Sequence, residues 1–210
     1  MNKKIIVDYL EKLYPDAHCE LNHQNNYELL IAIILSAQTT DKKVNDVTNI
    51  LFPKYPSFYA LSLADSKEVE EILHPLGLAK TKAYNIIKTS QIIKSDFSGQ
   101  IPTNEKDLLK LPGVGNKVAW VYLGEAEGRN VFPVDTHIKR IAGRLGISKN
   151  DNPDKISEDL KKYFKGEDYM HLHHRLIFFG RYLCKAKGPN CSVCELKCKI
   201  SKNSQIKPNL

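Results

Sequence analysis

Four cysteines fall within fifteen residues near the end of the chain, spaced Cys184-x6-Cys191-x2-Cys194-x3-Cys198. The segment is polar and basic, with Lys185, Lys187 and Lys197, so it offers little core in which four small hydrophobes could be buried. Thiols crowded into such a loop read as a metal-binding set. Two centres compete for them, zinc held tetrahedrally by four thiolates and a [4Fe-4S] cluster. The first gap, of six residues, exceeds the roughly two to four usual in a zinc knuckle and favours the cluster. The fifth cysteine, Cys19, stands apart and reads as a small buried hydrophobe. His171, His173 and His174 have no carboxylate or cysteine at matching spacing, and no metal is assigned to them.

A second constellation begins at Leu111-Pro-Gly-Val-Gly-Asn-Lys117. Gly113 and Gly115 permit a tight turn whose backbone N–H groups, Val114 among them, point outward. The helix that follows adds its positive end, so the turn can hold a phosphate. This is the helix-hairpin-helix pattern, which grips a DNA backbone without reading sequence. The plain alternative is a helix corner in which the glycines only allow close approach. Lys117 lies in the first turn of the second helix. A lysine is protonated at neutral pH, so a nucleophilic role requires loss of that proton; otherwise it is a phosphate-contacting cation. Eighteen residues on, Asp135 precedes an apolar-periodic helix, where a carboxylate is a good N-cap. Together the amine and the carboxylate are the pair needed to attack a sugar C1′ and to stabilise the positive charge that develops.

Positioning these groups requires helices, and helical periodicity dominates the chain. Tyr27 to Ala37 is apolar nearly all round and should be central core. Val44, Val47 and Leu51 recur at helical spacing after Thr40-Asp41, and similar stretches run over Ser66–Leu73, Lys80–Ile93, Glu105–Leu109, Lys117–Leu123 and Thr136–Leu145. Gly124 to Pro133 reads as a loop, Asn152-Pro153 opens a further helix, and Glu167–Leu183 is the last. Stops are expected at Pro53, Pro56, Gly77, Gly99, Pro102 and the glycine pair. The spacing predicts an all-α protein of about ten helices with a polar, frayed tail from Lys199 to Leu210.

Composition sets the bounds on function. With 210 residues, 42% hydrophobic and 26% charged, the chain is an ordinary globular one, not a disordered, fibrous or disulfide-stapled one. The excess of 31 Lys and Arg over 24 Asp and Glu, +7, suits a polyanionic partner. The longest apolar run, Leu29 to Leu35, is far short of a bilayer span, and the start of the chain carries no secretory core. A reducing cytoplasm and no membrane association are therefore expected.

Taken together, Leu111-Pro-Gly-Val-Gly-Asn-Lys117, Val134-Asp135-Thr136-His137 and the closing four-cysteine loop resemble the endonuclease III family of DNA glycosylases and AP lyases. Leu35-Ser-Ala-Gln-Thr-Thr-Asp41 and Leu76-Gly-Leu-Ala-Lys80 are also similar to its segments, in order and at similar distances, so the likeness runs from Glu20 to Cys198. The resemblance implies two all-α lobes. One is a six-helix barrel with the helix-hairpin-helix over 22–130; the other, 1–21 with 131–210, carries the iron–sulfur loop 184–198. It implies Lys117 as nucleophile, Asp135 as its partner carboxylate, and Cys184, Cys191, Cys194 and Cys198 as ligands of a [4Fe-4S] cluster. Gln38 and Leu78 would fill the gap left by a flipped base. Gly113, Val114, Gly115, Lys185 and Lys187 would meet DNA, with Lys139, Arg140 and Arg144 among the positive charges turned toward it. The partner implied is duplex DNA with a damaged base or abasic site, met by a monomer.

Three positions depart from the family pattern. The last cysteine gap is x3 where x5 is usual, Trp120 stands where Asn is common, and Asn116 replaces a frequent Arg. Trp120 is one turn beyond Lys117, where it either packs in the core or lines a base pocket. The enzyme reading competes with a non-catalytic module that binds bent or abasic DNA, and with a mismatch glycosylase of the same superfamily. Lys117 and Asp135 separate them: a pure binder has no need of the carboxylate, and adenine-mismatch glycosylases carry another residue where Lys117 stands.

Overall fold

The computed structural model describes residues 2–196 and 198. Over them the chain forms helices and no strand: α1 (Lys3–Leu13), α2 (Asn26–Leu35), α3 (Asp41–Lys54), α4 (Phe58–Ser62), α5 (Ser66–Leu73), α6 (Ala79–Asp96), α7 (Glu105–Leu108), α8 (Asn116–Glu127), α9 (Thr136–Leu145), α10 (Pro153–Tyr163) and α11 (Tyr169–Phe178). A 3-10 turn, His74–Leu76, precedes α6, and a π-helical segment, Phe179–Leu183, continues α11. None of these helices is long and apolar enough to cross a membrane. The polar tail expected at Lys199–Leu210 lies outside the described residues, as does Lys197.

Short polar residues start most of the helices. Asn2, Asn25, Thr40, Ser57, Asp65, Asn104, Asp135, Asn152 and Asp168 each accept a hydrogen bond from a backbone N–H of the first turn they precede. The two exceptions among the described α-helices are α6, preceded by Leu78, and α8, preceded by Gly115; neither has a side-chain cap. Both uncapped starts lie among the segments the sequence reading turns toward DNA.

The chain divides into two compact units, one formed by Glu20–Arg129 and the other by the start of the chain through Cys19 together with Asn130 onward. In the first unit α2 is the core element: Leu29 through Leu35 are each 2 % exposed or less, because the helix is apolar on every face. α3, α6 and α8 pack against it, and the edge-on contact of Tyr27 with Phe58, centroids 4.7 Å apart, closes one side. In the second unit α1 packs on α11, and Ile6 and Leu10 join Phe132, Ile138, Ile141, Leu160, Phe164 and Leu176 in one cluster.

Several boundaries differ from the sequence expectation. α8 continues past Leu123 to Glu127, with Gly124 buried inside it, because the residue that takes the left-handed conformation and ends the helix is Gly128, φ +60°. Pro53 does not stop α3 ahead of itself; it occupies the last turn, where the helix ends one residue later. The α-helix read as Glu167–Leu183 is Tyr169–Phe178 followed by the π segment, with Asp168 as cap. α1 and the five-residue α4 go beyond the helices read from the sequence.

Candidate functional site

The hairpin turn is built from buried anchors and exposed glycines. Leu111 is 2 % and Val114 7 % exposed, so both side chains belong to the core, while Gly113, Gly115 and Lys117 are on the surface. The Val114 amide is spent inside the turn, donating to the Leu111 carbonyl at 3.0 Å. It is therefore not among the outward-pointing N–H groups the spacing suggested. The amides of Gly113 and Gly115 find no acceptor among the described residues, and with the uncapped start of α8 they leave donors for an anion. From α6, Thr89 donates its hydroxyl to the Pro112 carbonyl at 3.0 Å.

Gly113 is required twice over. Its φ is +81°, and a Cβ there would lie 2.9 Å from Asn85 Nδ2 and 3.0 Å from Ile34 Cγ2. Gly113→Ala is expected to lower the stability of this unit by roughly 1–3 kcal/mol, seen as a lower melting temperature. DNA affinity should fall with it, and an unchanged melting temperature would mean the turn tolerates the side chain.

Lys117 is the second residue of α8, exposed and two residues beyond Gly115. Trp120, one turn further, is half-buried, and Ala119 and Tyr122 enter the core. Asp135 belongs to the other unit. Its Oδ1 accepts from the Ile138 amide at 2.8 Å, so the N-cap role is realised and the carboxylate is held at the start of α9, half-buried. The strand of chain leading to it is pinned at two carbonyls: Ser157 donates to Phe132 at 2.8 Å, and His173 Nδ1 lies 2.9 Å from the Pro133 oxygen. Gln38 and Leu78 are both exposed and both left-handed, at φ +55° and +51°. Positive φ in residues with a Cβ is strain that persists where the surroundings enforce it, often at functional positions.

The four cysteines line one shared pocket with Ile141, Leu145, Phe179, Leu183 and Leu196. None of the five cysteines of the chain forms a disulfide. Cys184 is buried and the other three ligand candidates are half-buried. Four thiolates around one pocket can serve a tetrahedral zinc or a cluster. A cluster takes one thiolate at each of four irons and so accepts donors spread around an apolar void. The donor set fits that group.

Arginines expected to face DNA are instead committed to this loop. Arg140 donates to the Gly180 carbonyl at 2.9 Å and the Cys184 carbonyl at 3.2 Å. Arg144 donates to the Cys184 carbonyl at 3.1 Å, its Sγ at 3.2 Å, Lys185 O at 2.7 Å and Ala186 O at 3.1 Å. Lys139 pairs with Asp151 at 2.9 Å. The π segment explains the need. Its Cys184 amide reaches back to Phe179 O at 2.7 Å, and the arginine forks satisfy carbonyls at this helix end, where positive charge is also favoured. From α1, Tyr9 holds the same loop: its hydroxyl accepts from the Glu195 amide at 3.2 Å and donates to Val193 O at 3.4 Å. Lys185 and Lys187 remain exposed. The sequence reading missed Arg140, Arg144 and Tyr9 as loop supports; the i, i+4 spacing of the arginines shows a common face but not what that face meets.

Comparison with known proteins places the chain. Residues 31–166 match the family described as HhH-GPD superfamily base excision DNA repair protein. Endonuclease III of Bacillus subtilis (strain 168) is 42% identical over 191 residues, 90% of this chain and 87% of that protein. Endonuclease III of Escherichia coli (strain K12) is 38% identical over 197 residues, 92% and 93% of the two chains. A solved non-covalent endonuclease III–DNA complex superposes with TM-score 0.93 at 40% identity, covering 97% of each chain. A trapped endonuclease III–DNA covalent intermediate gives TM-score 0.92 at 40% identity over 98% and 99%. The chain belongs to the HhH-GPD superfamily of base excision DNA repair proteins and, within it, to the endonuclease III family. It is a DNA glycosylase and AP lyase of base excision repair.

Proposed function

We propose that the chain removes oxidised pyrimidines from duplex DNA and then cuts the strand, with Lys117 as the nucleophile and Asp135 as the carboxylate that stabilises the sugar cation. The observation that carries this reading is the place of Lys117: an exposed amine two residues beyond a turn whose free amides suit a phosphate. A backbone anchored there puts a neighbouring sugar within reach of the side chain. In the reaction the neutral Nζ donates its lone pair to C1′ of a nucleotide flipped out of the stack. The glycosidic bond breaks and its electron pair leaves with the base, which is protonated. Opening of the sugar ring gives a Schiff base on Nζ. Loss of a C2′ proton then expels the 3′ phosphate by β-elimination, and water releases the lysine. Gln38 and Leu78, exposed on strained backbone, would occupy the vacated stack and offset part of the cost of flipping.

Gly113 and Gly115 would hold phosphate through their amides, and Lys185 and Lys187 through charge. The unit Glu20–Arg129 would be the hairpin-bearing barrel and the other unit the cluster lobe. Cys184, Cys191, Cys194 and Cys198 would hold a [4Fe-4S] cluster, whose part is to brace the loop that presents Lys185 and Lys187. We assign the protein to the cytoplasm, acting on damaged or abasic duplex DNA as a monomer.

The test is incubation with a duplex containing thymine glycol, with and without borohydride. Free base, a strand cut 3′ to the site and a trapped covalent adduct are expected; intact duplex with well-folded protein would overturn the reading. For the metal, Cys194→Ser is expected to lower bound iron from about four per chain and to weaken DNA affinity more than turnover. A colourless wild-type protein with one zinc would replace the cluster by the alternative.

A further inference from the structure

Lys82 is only 4 % exposed, lies in the first turns of α6, and has no task in the chemistry above. Its ammonium donates to the Leu76 carbonyl at 3.3 Å, and its amide donates to the Leu78 carbonyl at 2.9 Å. Burial pushes its pKa below the ordinary lysine value, and no carboxylate contributes to compensate that burial. The position is unfavourable in a second way, because a cation at a helix start opposes the helix dipole. An apolar side chain would fill the same place in the α6 core without either penalty.

The neighbouring backbone is also strained. Leu78 sits at φ +51°, ψ +32°, directly before α6 and without a side-chain cap, and its side chain is 59 % exposed. Left to itself such a leucine relaxes to negative φ, which would redirect its side chain. The ammonium ties the Leu76 end of the segment to α6, while the Leu78 end is held by the first backbone bond of the helix, from the Lys82 amide, which any residue at this position would make.

We propose that Lys82 is a positioning residue that holds the Leu76–Leu78 turn in the strained conformation presenting Leu78, so that the wedge is formed before DNA arrives. The proposal rests on the reading of Leu78 as the residue that fills the gap beside a flipped base. A wedge ordered in advance spares the cost of ordering on binding, so its loss falls on affinity for duplex more than on chemistry.

The test compares the full chain with Lys82→Met, Lys82→Arg, Leu78→Ala and the double variant Lys82→Met/Leu78→Ala. Strand cleavage is measured on abasic duplex and on an abasic single strand, where there is no stack to fill. Fluorescence of 2-aminopurine opposite the lesion reports the wedge itself. Lys82→Met should raise KM on duplex on the order of tenfold, with a smaller change in kcat, and lower the ratio of duplex to single-strand activity. It should weaken the 2-aminopurine signal as Leu78→Ala does, Lys82→Arg should recover most of both, and the double variant should be no worse than Leu78→Ala. Additive effects, equal losses on both substrates, or no recovery by Arg would overturn the role of Lys82 while leaving the wedge intact. A Leu78→Ala enzyme with wild-type KM and fluorescence would overturn the wedge reading, and this proposal with it. If Lys82→Met does not fold, Lys82→Gln, which is shorter and uncharged, takes its place in the same comparisons.

Discussion

Lys117→Gln is expected to abolish the borohydride-trapped adduct and to lower strand cleavage at an abasic site by at least about a thousandfold. An amide has no lone pair available to attack C1′ and cannot form a Schiff base, so the loss falls on the covalent step itself. Binding should suffer far less, by under about tenfold, because one positive charge among several near the phosphates is removed. The fold should be untouched. Lys117 is exposed on α8 and Gln is a good helix former, so the stability change should be within about 0.5 kcal/mol. Adduct formation, filter binding and thermal melting on one preparation separate these outcomes. An adduct that persists at wild-type yield would assign the nucleophile to another amine.

Asp135→Asn should lower base excision by roughly 100- to 1,000-fold with little loss of stability. The two substitutions available at this position divide the structural role from the chemical one. Asp135 caps α9 by accepting from the Ile138 amide, and Asn caps a helix as well as Asp does. The Asn variant therefore keeps the cap and loses only the negative charge. Asp135→Ala removes both and should cost a further ~1 kcal/mol of stability. If the residue were only a cap, the order would reverse: Asn would be fully active, and Ala would lose stability but keep turnover in the folded fraction. Single-turnover excision of thymine glycol together with melting temperatures decides between them.

Much of this was legible before any coordinates. Helix starts could be read at Thr40, Asp135 and Asn152 because capping is local: a short side chain meets an amide two or three residues away. The central place of α2 followed from its apolar faces, and the hairpin from its glycines. The same locality explains the misses. Gly124 resembled a stop but takes helical backbone, and nothing nearby in sequence distinguishes it from Gly128, which does stop the helix. The glycine turn suggests outward-pointing amides, yet the Val114 N–H closes onto Leu111 and its side chain is core.

By itself the sequence determined the residue types that can do this chemistry and their order: a lysine after a glycine turn, an aspartate at a helix start, four cysteines in a basic loop. Tertiary structure decided where the remaining charge is spent. Lys117, Lys185 and Lys187 are exposed, whereas Arg140 and Arg144, counted in the same excess of +7, turn to the carbonyls and thiol of the cysteine loop. Lys82 turns inward to the Leu76 carbonyl. A charge is visible in the sequence, but its partner lies forty residues away for Arg144 and Cys184, and only the packed chain brings the two together.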